Sequence, residues 1–116
     1  MLVRLISLSL LLVSAMWAQT ASLTGRITDP SGAVIPDARV TVRSNGSGVA
    51  TAAVSNGDGY YALPSLQPGR YDVEIARDGF VVIRQLGLEL VVQQSARLDV
   101  VMKVGTVSEQ IGRAHV

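Results

Sequence analysis

The chain has 116 residues, enough for one small domain. It contains no cysteine, so neither a disulfide nor a lipid on an N-terminal cysteine can contribute to its stability or location. Its ten Lys/Arg and nine Asp/Glu are dispersed rather than clustered, which argues against nucleic acid as a partner.

The first 18 residues have the pattern of a secretory signal peptide. Arg4 gives a positive start, residues 5–13 are apolar apart from two serines, and small residues follow. The apolar stretch is shorter than the about 20 residues that a membrane-spanning helix needs. We therefore expect cleavage after Ala18, with a cut after Ala15 as the alternative. The exported remainder lacks Arg4 and carries nine charges of each sign, so its net charge is zero.

From Ala21 onward, apolar and polar side chains alternate with a period of two, and no window shows helical spacing. Such alternation is typical of half-buried antiparallel strands. We predict seven strands, at residues 21–28, 38–44, 49–55, 59–63, 69–76, 80–90 and 95–103. The inward-facing positions include Leu23, Gly25, Ile27, Val40, Val42, Tyr71, Val73, Ile75, Ala96, Leu98, Val100 and Met102.

Turn residues separate these runs at short intervals. Gly, Asn, Asp and Pro cluster at residues 29–32, 45–48, 56–59, 67–69 and 78–79. Short strands with this spacing predict an all-β fold, a single antiparallel seven-stranded β-sandwich. The strand at 80–90 has a blurred alternation, so it is either covered on both faces or contains a bulge. Residues 86–92 are weakly patterned and could form an open edge.

The segment from Gly57 to Phe80 resembles the carboxypeptidase regulatory-like domain, a prealbumin-like or starch-binding-like β-sandwich. The matching positions are Gly59, Tyr61, Leu63, Pro64, Leu66, Pro68, Gly69, Tyr71, Gly79 and Phe80. Residues 23–42 look like the N-terminal part of that domain. Residues 95–110 look like its last strand and the segment that follows it in TonB-dependent receptors of the Oar-like kind. The resemblance covers nearly all of residues 21–110.

Two positions depart from the family pattern. Gln67 stands where a proline is frequent, and Gln93 stands where a turn glycine is usual. A residue with a Cβ resists positive φ, so the geometry of the turn at Gln93 is an open question.

The matched positions have packing and turn roles by their pattern. Tyr61, Leu63 and Leu66 should point inward, and Pro64 should end its strand. Tyr71 should face the same core, with Phe80 closing it after the turn at 78–79.

The residues offer little for catalysis, so we expect no enzymatic activity, no catalytic residues and no cofactor. His115 is the single histidine, and the acids Asp72 and Glu74 lie on a face that the pattern exposes to solvent. Asn56 and Asp58 could offer oxygens to calcium, but one carboxylate is too few for a tight site, so we predict a hairpin turn and no metal there.

Sugar binding is the main competing interpretation, because related sandwiches include starch-binding folds. Sugar sites usually need exposed aromatic faces. Tyr60 is the single aromatic residue predicted to point outward, which makes it the candidate ligand platform.

The end of the chain divides into two parts. We interpret residues 21–104 as the sandwich and 105–110 as the start of a linker to domains that are missing here. The last six residues, 111–116 (IGRAHV), are what a sequencing adapter encodes in one reading frame, so we expect them to be foreign. His115 then has no functional meaning.

The resemblance implies a non-catalytic N-terminal periplasmic module of a truncated TonB-dependent outer-membrane receptor. Its partner would be the plug and barrel of the same chain, with a polysaccharide or a peptide as a further partner, and it would be exported to the periplasmic side of the outer membrane or secreted. One alternative is a carbohydrate-binding module of a secreted protein, and another is an accessory domain of a secreted carboxypeptidase.

Overall fold

The computed structural model describes residues 19–105 and the backbone of residues 108–113. The predicted signal peptide at 1–18 lies outside the described residues. Within the described part, no helix is long and apolar enough to span a membrane. The strands are β1 (Ala21–Thr28), β2 (Arg39–Ser44), β3 (Ala50–Val54), β4 (Tyr60–Leu66), β5 (Gly69–Ala76), β6 (Val82–Leu90), β7 (Ser95–Arg97), β8 (Val100–Val101) and β9 (Ser108–Arg113).

The strands form two sheets that pack face to face. One sheet has the order β4-β1-β7, with β8 also paired to β1, and the other has the order β3-β2-β5-β6-β9. The apolar side chains at alternate positions of both sheets meet in one core, as the period of two predicted. The all-β sandwich is therefore confirmed. Its largest fully buried side chains are Leu23, Ile27, Val40, Val42, Val73, Ile75, Leu90 and Met102.

The aromatic residues of the predicted core are where the alternation placed them. Tyr61 and Tyr71 are buried members of the core, and Phe80 is half-buried against it. The Tyr71 hydroxyl donates a hydrogen bond to the Gln67 carbonyl oxygen at 2.5 Å, so its one polar atom is satisfied.

The last predicted strand differs from the prediction in two ways. It divides into β7 and β8, and both pair with β1 in parallel rather than antiparallel. Alternation reports which face of a strand is buried but not the direction of its neighbour, so the pattern could not distinguish the two pairings.

Tyr61 and Gly25 explain how the final segment is held on β1. The two residues are cross-strand partners, and the Leu98 carbonyl group and the Tyr61 hydroxyl lie where a side chain at position 25 would otherwise be. The Tyr61 hydroxyl donates to the Leu98 carbonyl oxygen at 2.5 Å, while the Leu98 N–H donates to the Thr24 carbonyl oxygen at 2.8 Å. Position 25 must therefore be glycine for the chain to come this close.

Pro64 does not end β4, contrary to the prediction, because the strand continues to Leu66. Along the described chain β4 is an edge strand whose only partner is β1. A proline is tolerated on an edge when its missing N–H faces away from the neighbour. The register with β1 shifts between Leu23 and Ala21, so a bulge accommodates this stretch.

β6 contains a β-bulge, one of the two features that the sequence offered for this strand, but the bulge lies at residues 85–88 and not at the apolar run 81–83 that blurred the alternation. Tyr71 pairs with Leu88 but Val73 pairs with Gln85, so β6 contains one extra residue. Gly87 has a φ of 69° there, and its N–H donates to Asp72 Oδ1 at 3.1 Å.

Residues 108–113 were predicted to include the end of a linker and the start of a tail with no partner strand. The prediction was wrong on the pairing, because their backbone forms β9, which lies parallel to β6 from Val82 to Leu86. A strand edge offers a row of free N–H and C=O groups to any extended segment, whatever its side-chain pattern, so alternation alone could not reveal this pairing.

Gln93 lies in the turn before β7, whose backbone geometry the sequence left open. It adopts a φ of 60°, the conformation for which glycine is usual, and its N–H donates to the Thr20 carbonyl oxygen at 3.0 Å. The chain thus keeps the turn geometry and tolerates the strain of a Cβ in it, about 1–2 kcal/mol.

Replacing Gln93 with glycine should therefore cost less stability than the same change at a neighbouring residue without positive φ. We expect Gln93→Gly to lower the free energy of unfolding by about 1–2 kcal/mol less than Gln94→Gly does, since relief of the strain offsets part of what the substitution loses. Urea denaturation measures this change. Gln94→Gly is the matched control, since φ is not positive there and the Gln94 Oε1 that accepts from the Val91 N–H is lost, so it should destabilise. An equal loss in both variants would contradict the strain at Gln93.

Candidate functional site

The predicted ligand platform, Tyr60, begins β4 and lies beside Arg26 of the central strand β1. Its side chain points outward, as predicted, and is 43% exposed. The outer face of this sheet carries a small charged cluster of Arg26, Arg97 and Asp99, in which Arg26 lies over the ring and also bonds the Asp58 carbonyl oxygen.

Arg26 covers the Tyr60 ring. The Arg26 guanidinium carbon lies 5.0 Å from the ring centroid, within the range of a cation–π contact. Arg26 Nε also donates to the Asp58 carbonyl oxygen at 3.3 Å, which holds the guanidinium in place. One face of the ring is therefore occupied by the protein itself, so a sugar could not stack on it without displacing Arg26.

Asp99 links the last strands to β1. Its Oδ1 accepts the Arg26 backbone N–H at 2.9 Å, and both carboxylate oxygens accept Arg97 Nε at 3.0 Å. Burial acts to raise the pKa of Asp99, but the hydrogen bonds from Arg97 and from the Arg26 backbone outweigh it and hold this pKa below its ordinary value. The same hydrogen bond raises the pKa of Arg97. Burial, with a smaller effect of Asp99, raises the pKa of Tyr61 beneath this cluster.

The lowered pKa of Asp99 predicts a loss of stability in acid. Because the folded-state pKa lies below the unfolded one, the ionised form stabilises the fold above about pH 4, and this stabilisation is lost as the pH falls through the folded pKa. We expect Asp99→Asn to melt below the unchanged protein at pH 6 and to approach it at pH 2. Scanning calorimetry across this range tests the expectation, and a constant difference in melting temperature would contradict it.

The two carboxylates considered for acid–base work lie on the outer face of the other sheet. Glu74 forms an ion pair with Arg84 at 3.1 Å, and Asp72 accepts the Gly87 N–H at 3.1 Å. Both line an open cleft of about 310 Å³ together with Thr41, Arg43, Val73, Arg84 and Leu86. Each acid is thus engaged with a basic side chain or a backbone donor.

The turn considered for calcium is closed by its own hydrogen bonds. Asn56 Oδ1 accepts the backbone N–H groups of Asp58 and Tyr60, both at 3.0 Å. Gly59 completes the turn with a φ of 81° and donates to the Asn56 carbonyl oxygen. These oxygens therefore serve the hairpin, and residues 19–105 contain no group of three or more His, Cys, Asp or Glu that could hold a metal ion.

The sequence interpretation missed two buried polar residues, Ser55 and Gln85, of which Ser55 is the more deeply buried. Ser55 joins two elements. Its hydroxyl accepts the Ala38 N–H at 2.9 Å and donates to the Ile35 carbonyl oxygen at 2.8 Å. It thereby ties the loop before β2 to the end of β3. A serine that follows an apolar run gives no sign of this role, because the loop it binds is 17 to 20 residues away in the sequence.

A groove without charged side chains, also missed, runs between the edge strands β3 and β4. It consists of two clefts of about 180 and 370 Å³ that share Thr51, Ser65 and Leu66. We call it the neutral groove. Its signal in the sequence is the uncharged, proline-free run from Ser44 to Gly57.

The comparisons with known proteins agree with this architecture. The family model of the carboxypeptidase regulatory-like domain matches residues 22–103. Among curated proteins, nothing matches the chain significantly.

Several solved structures share the fold at low identity. A protein from Bacteroides uniformis described as carbohydrate-binding aligns with a TM-score of 0.57 and 20% identity over 72% of this chain and 41% of that one. The Bacillus anthracis TIE protein aligns with a TM-score of 0.61 and 18% identity over 74% of this chain and 17% of that one. A hydroxyquinol 1,2-dioxygenase from Pseudomonas putida aligns with a TM-score of 0.56 and 14% identity over 78% and 58%.

The chain thus spans less than two thirds of the length of each of these three proteins. Their range, from a protein described as carbohydrate-binding to an oxygenase, shows that the sandwich is shared by proteins of different activity. The fold alone therefore does not assign a function.

Proposed function

Because this chain belongs to the carboxypeptidase regulatory-like domain family, we propose that it is a non-catalytic N-terminal module of a TonB-dependent outer-membrane receptor, acting on the periplasmic side as a spacer and binding domain. The plug and barrel of the same chain would follow it.

The observation that carries this proposal is the family match, which covers residues 22–103 and so nearly the whole sandwich. Ser22 pairs with Ser95 and Ile27 pairs with Val100, in parallel, so β8 ends at the opposite end of β1 from the one where the chain enters. β9 then runs back along β6 from Val82 to Leu86, so the described chain stays on the sandwich after β8.

The proposed export agrees with the composition of the domain. The absence of cysteine is compatible with an oxidising compartment because nothing in the fold depends on a disulfide. The apolar segment at 5–13, preceded by Arg4, has the signal-peptide pattern, and residues 95–110 resemble the exit of this domain in Oar-like receptors.

The non-catalytic character is supported by how the candidate groups are used. Glu74 is paired with Arg84, Asp99 with Arg97, and the Tyr61 hydroxyl with a carbonyl oxygen. Each of these bonds stabilises the core or forms an ion pair on the surface. None of them holds a nucleophile next to a base.

Sugar binding ranks below the spacer role because Arg26 lies on the ring that would have served as its platform. The accessory-domain role on a secreted carboxypeptidase requires a zinc-binding segment elsewhere in the parent protein.

The parent gene provides the decisive test. We expect independently amplified genomic DNA to continue past Gln110 with residues other than IGRAHV, and to encode a plug followed by an even series of long amphipathic strands. Fractionation of the source cells should place the product in the outer membrane. A His/Glu zinc motif downstream would favour the peptidase role instead, and IGRAHV followed by a stop codon would overturn the receptor proposal.

A further inference from the structure

The free edge of β3 is the least protected strand edge in the described part of the molecule. No other described strand pairs with it on the side away from β2. Sheet edges are usually blunted by charges, prolines or short length. The run from Ser44 to Gly57, which contains β3, has no charged residue and no proline.

The other edges carry the usual protection. β4 contains Pro64, and β7 is three residues long and ends at Arg97. β6 carries Arg84 and Glu89 and is partly covered by β9, whose own sequence contains Glu109 and Arg113, and β8 is only two residues long. The contrast singles out β3 as a strand whose edge can accept another strand.

The ladder with β2 determines which groups of β3 remain free. The Ser44 N–H donates to the Val49 carbonyl oxygen, and the Ser55 N–H donates to the Ala38 carbonyl oxygen. In an antiparallel ladder the hydrogen-bonded residues alternate. The odd-numbered residues of β3 therefore bond to β2, and the N–H and C=O groups of Ala50, Ala52 and Val54 point to the free edge.

We propose that β3 is a homodimerisation edge that pairs antiparallel with β3 of a second copy, with Ala52 opposite Ala52 of that copy. This register keeps both copies' inward faces on the same side and places Ala50 opposite Val54. It uses every free edge group of the three residues, for about six intermolecular hydrogen bonds.

A second copy fits this edge because the strand is neutral and its side chains are small. Two copies of β3 can pair without like-charge repulsion. The side chains of a charged strand would instead lose their hydration when they packed against the uncharged neutral groove. Val54, which is 57% exposed, gains a cross-strand neighbour. A two-fold axis through Ala52 also closes the assembly, since each copy has used its only unprotected edge among the described strands.

The pairing does not depend on the proposed receptor role, because it rests on β3 alone. A five-residue strand buries little surface, so we expect a weak dimer with a dissociation constant in roughly the micromolar to millimolar range.

Sedimentation velocity of the exported chain tests the proposal over a concentration series. We expect the mass to rise from one copy toward two with concentration. Ala52→Lys places two positive charges directly opposite each other and should keep the chain monomeric. Ser95→Lys puts the same charge on the exposed edge strand β7 and should dimerise like the unchanged chain. Thermal melting confirms that each variant folds.

A cysteine crosslink tests the register, since the chain has no cysteine of its own. We expect Ala52→Cys to form a disulfide-linked dimer under mild oxidation at a concentration where Ser95→Cys stays mostly uncrosslinked. A monomer at every concentration, or a dimer that Ala52→Lys leaves intact, would overturn the proposal.

Discussion

Gly25→Ala should prevent stable folding, or cost at least about 3 kcal/mol of the free energy of unfolding. A Cβ at position 25 would overlap the Leu98 carbonyl oxygen and lie 2.7 Å from the Tyr61 hydroxyl. Backbone cannot move away as a flexible side chain can, so the final strands would have to separate from β1. The Tyr61–Leu98 hydrogen bond would be lost with them.

Gly57→Ala is the matched control for this change. Nothing lies within 4 Å of a Cβ at position 57, and φ is not positive there. We expect its free energy of unfolding to remain within about 0.5 kcal/mol of the unchanged chain, as for an ordinary surface substitution. Urea denaturation of both variants gives the comparison. If Gly25→Ala were as stable as Gly57→Ala, the close approach of Leu98 to β1 would be incorrect.

Tyr71→Ala should cost about 3–5 kcal/mol, the range for deleting a large aromatic side chain from a core. Tyr71 is 6% exposed and lies at the end of the core, below the neutral groove. A small domain has only about 5–15 kcal/mol of stability in total, so the melting temperature should fall steeply.

Tyr71→Phe separates packing from hydrogen bonding at the same position. It keeps the ring and removes the bond to the Gln67 carbonyl oxygen, so we expect a loss of about 1 kcal/mol. Equal losses in the two variants would mean that the ring contributes little, and an unchanged melting temperature in Tyr71→Ala would show that the register of β5 is wrong.

Much of the fold could be predicted because it depends on local alternation. Val40, Tyr71 and Ile75 are buried where a period of two placed them, and the turns lie at the Gly, Asn and Asp clusters. These signals arise from one strand at a time. Strand direction, the continuation of β4 through Pro64 and the pairing of β9 depend on neighbours that are distant in sequence, and alternation does not report them.

The surface was harder to predict for the same reason. The prediction that Tyr60 points outward was correct. The guanidinium that covers its ring belongs to Arg26, which is 34 residues earlier in the sequence and directly opposite on β1. Ser55 likewise binds Ala38 and Ile35, which lie 17 and 20 residues earlier in the sequence. The alternation of apolar and polar residues predicts which way a side chain points. The residues that it contacts depend on how strands distant in sequence pair.

The parallel pairing of β7 and β8 with β1 also has a mechanical consequence. A pull applied at Ala21 and at Val101 would draw β1 and β8 in opposite directions along their length. The hydrogen bonds joining β7 and β8 to β1 would then be loaded together in shear, rather than opened one after another as in a peeled hairpin. The hydrogen bond from Tyr61 to Leu98 across Gly25 would oppose this sliding. A pull applied beyond β9 would first have to separate β9 from β6.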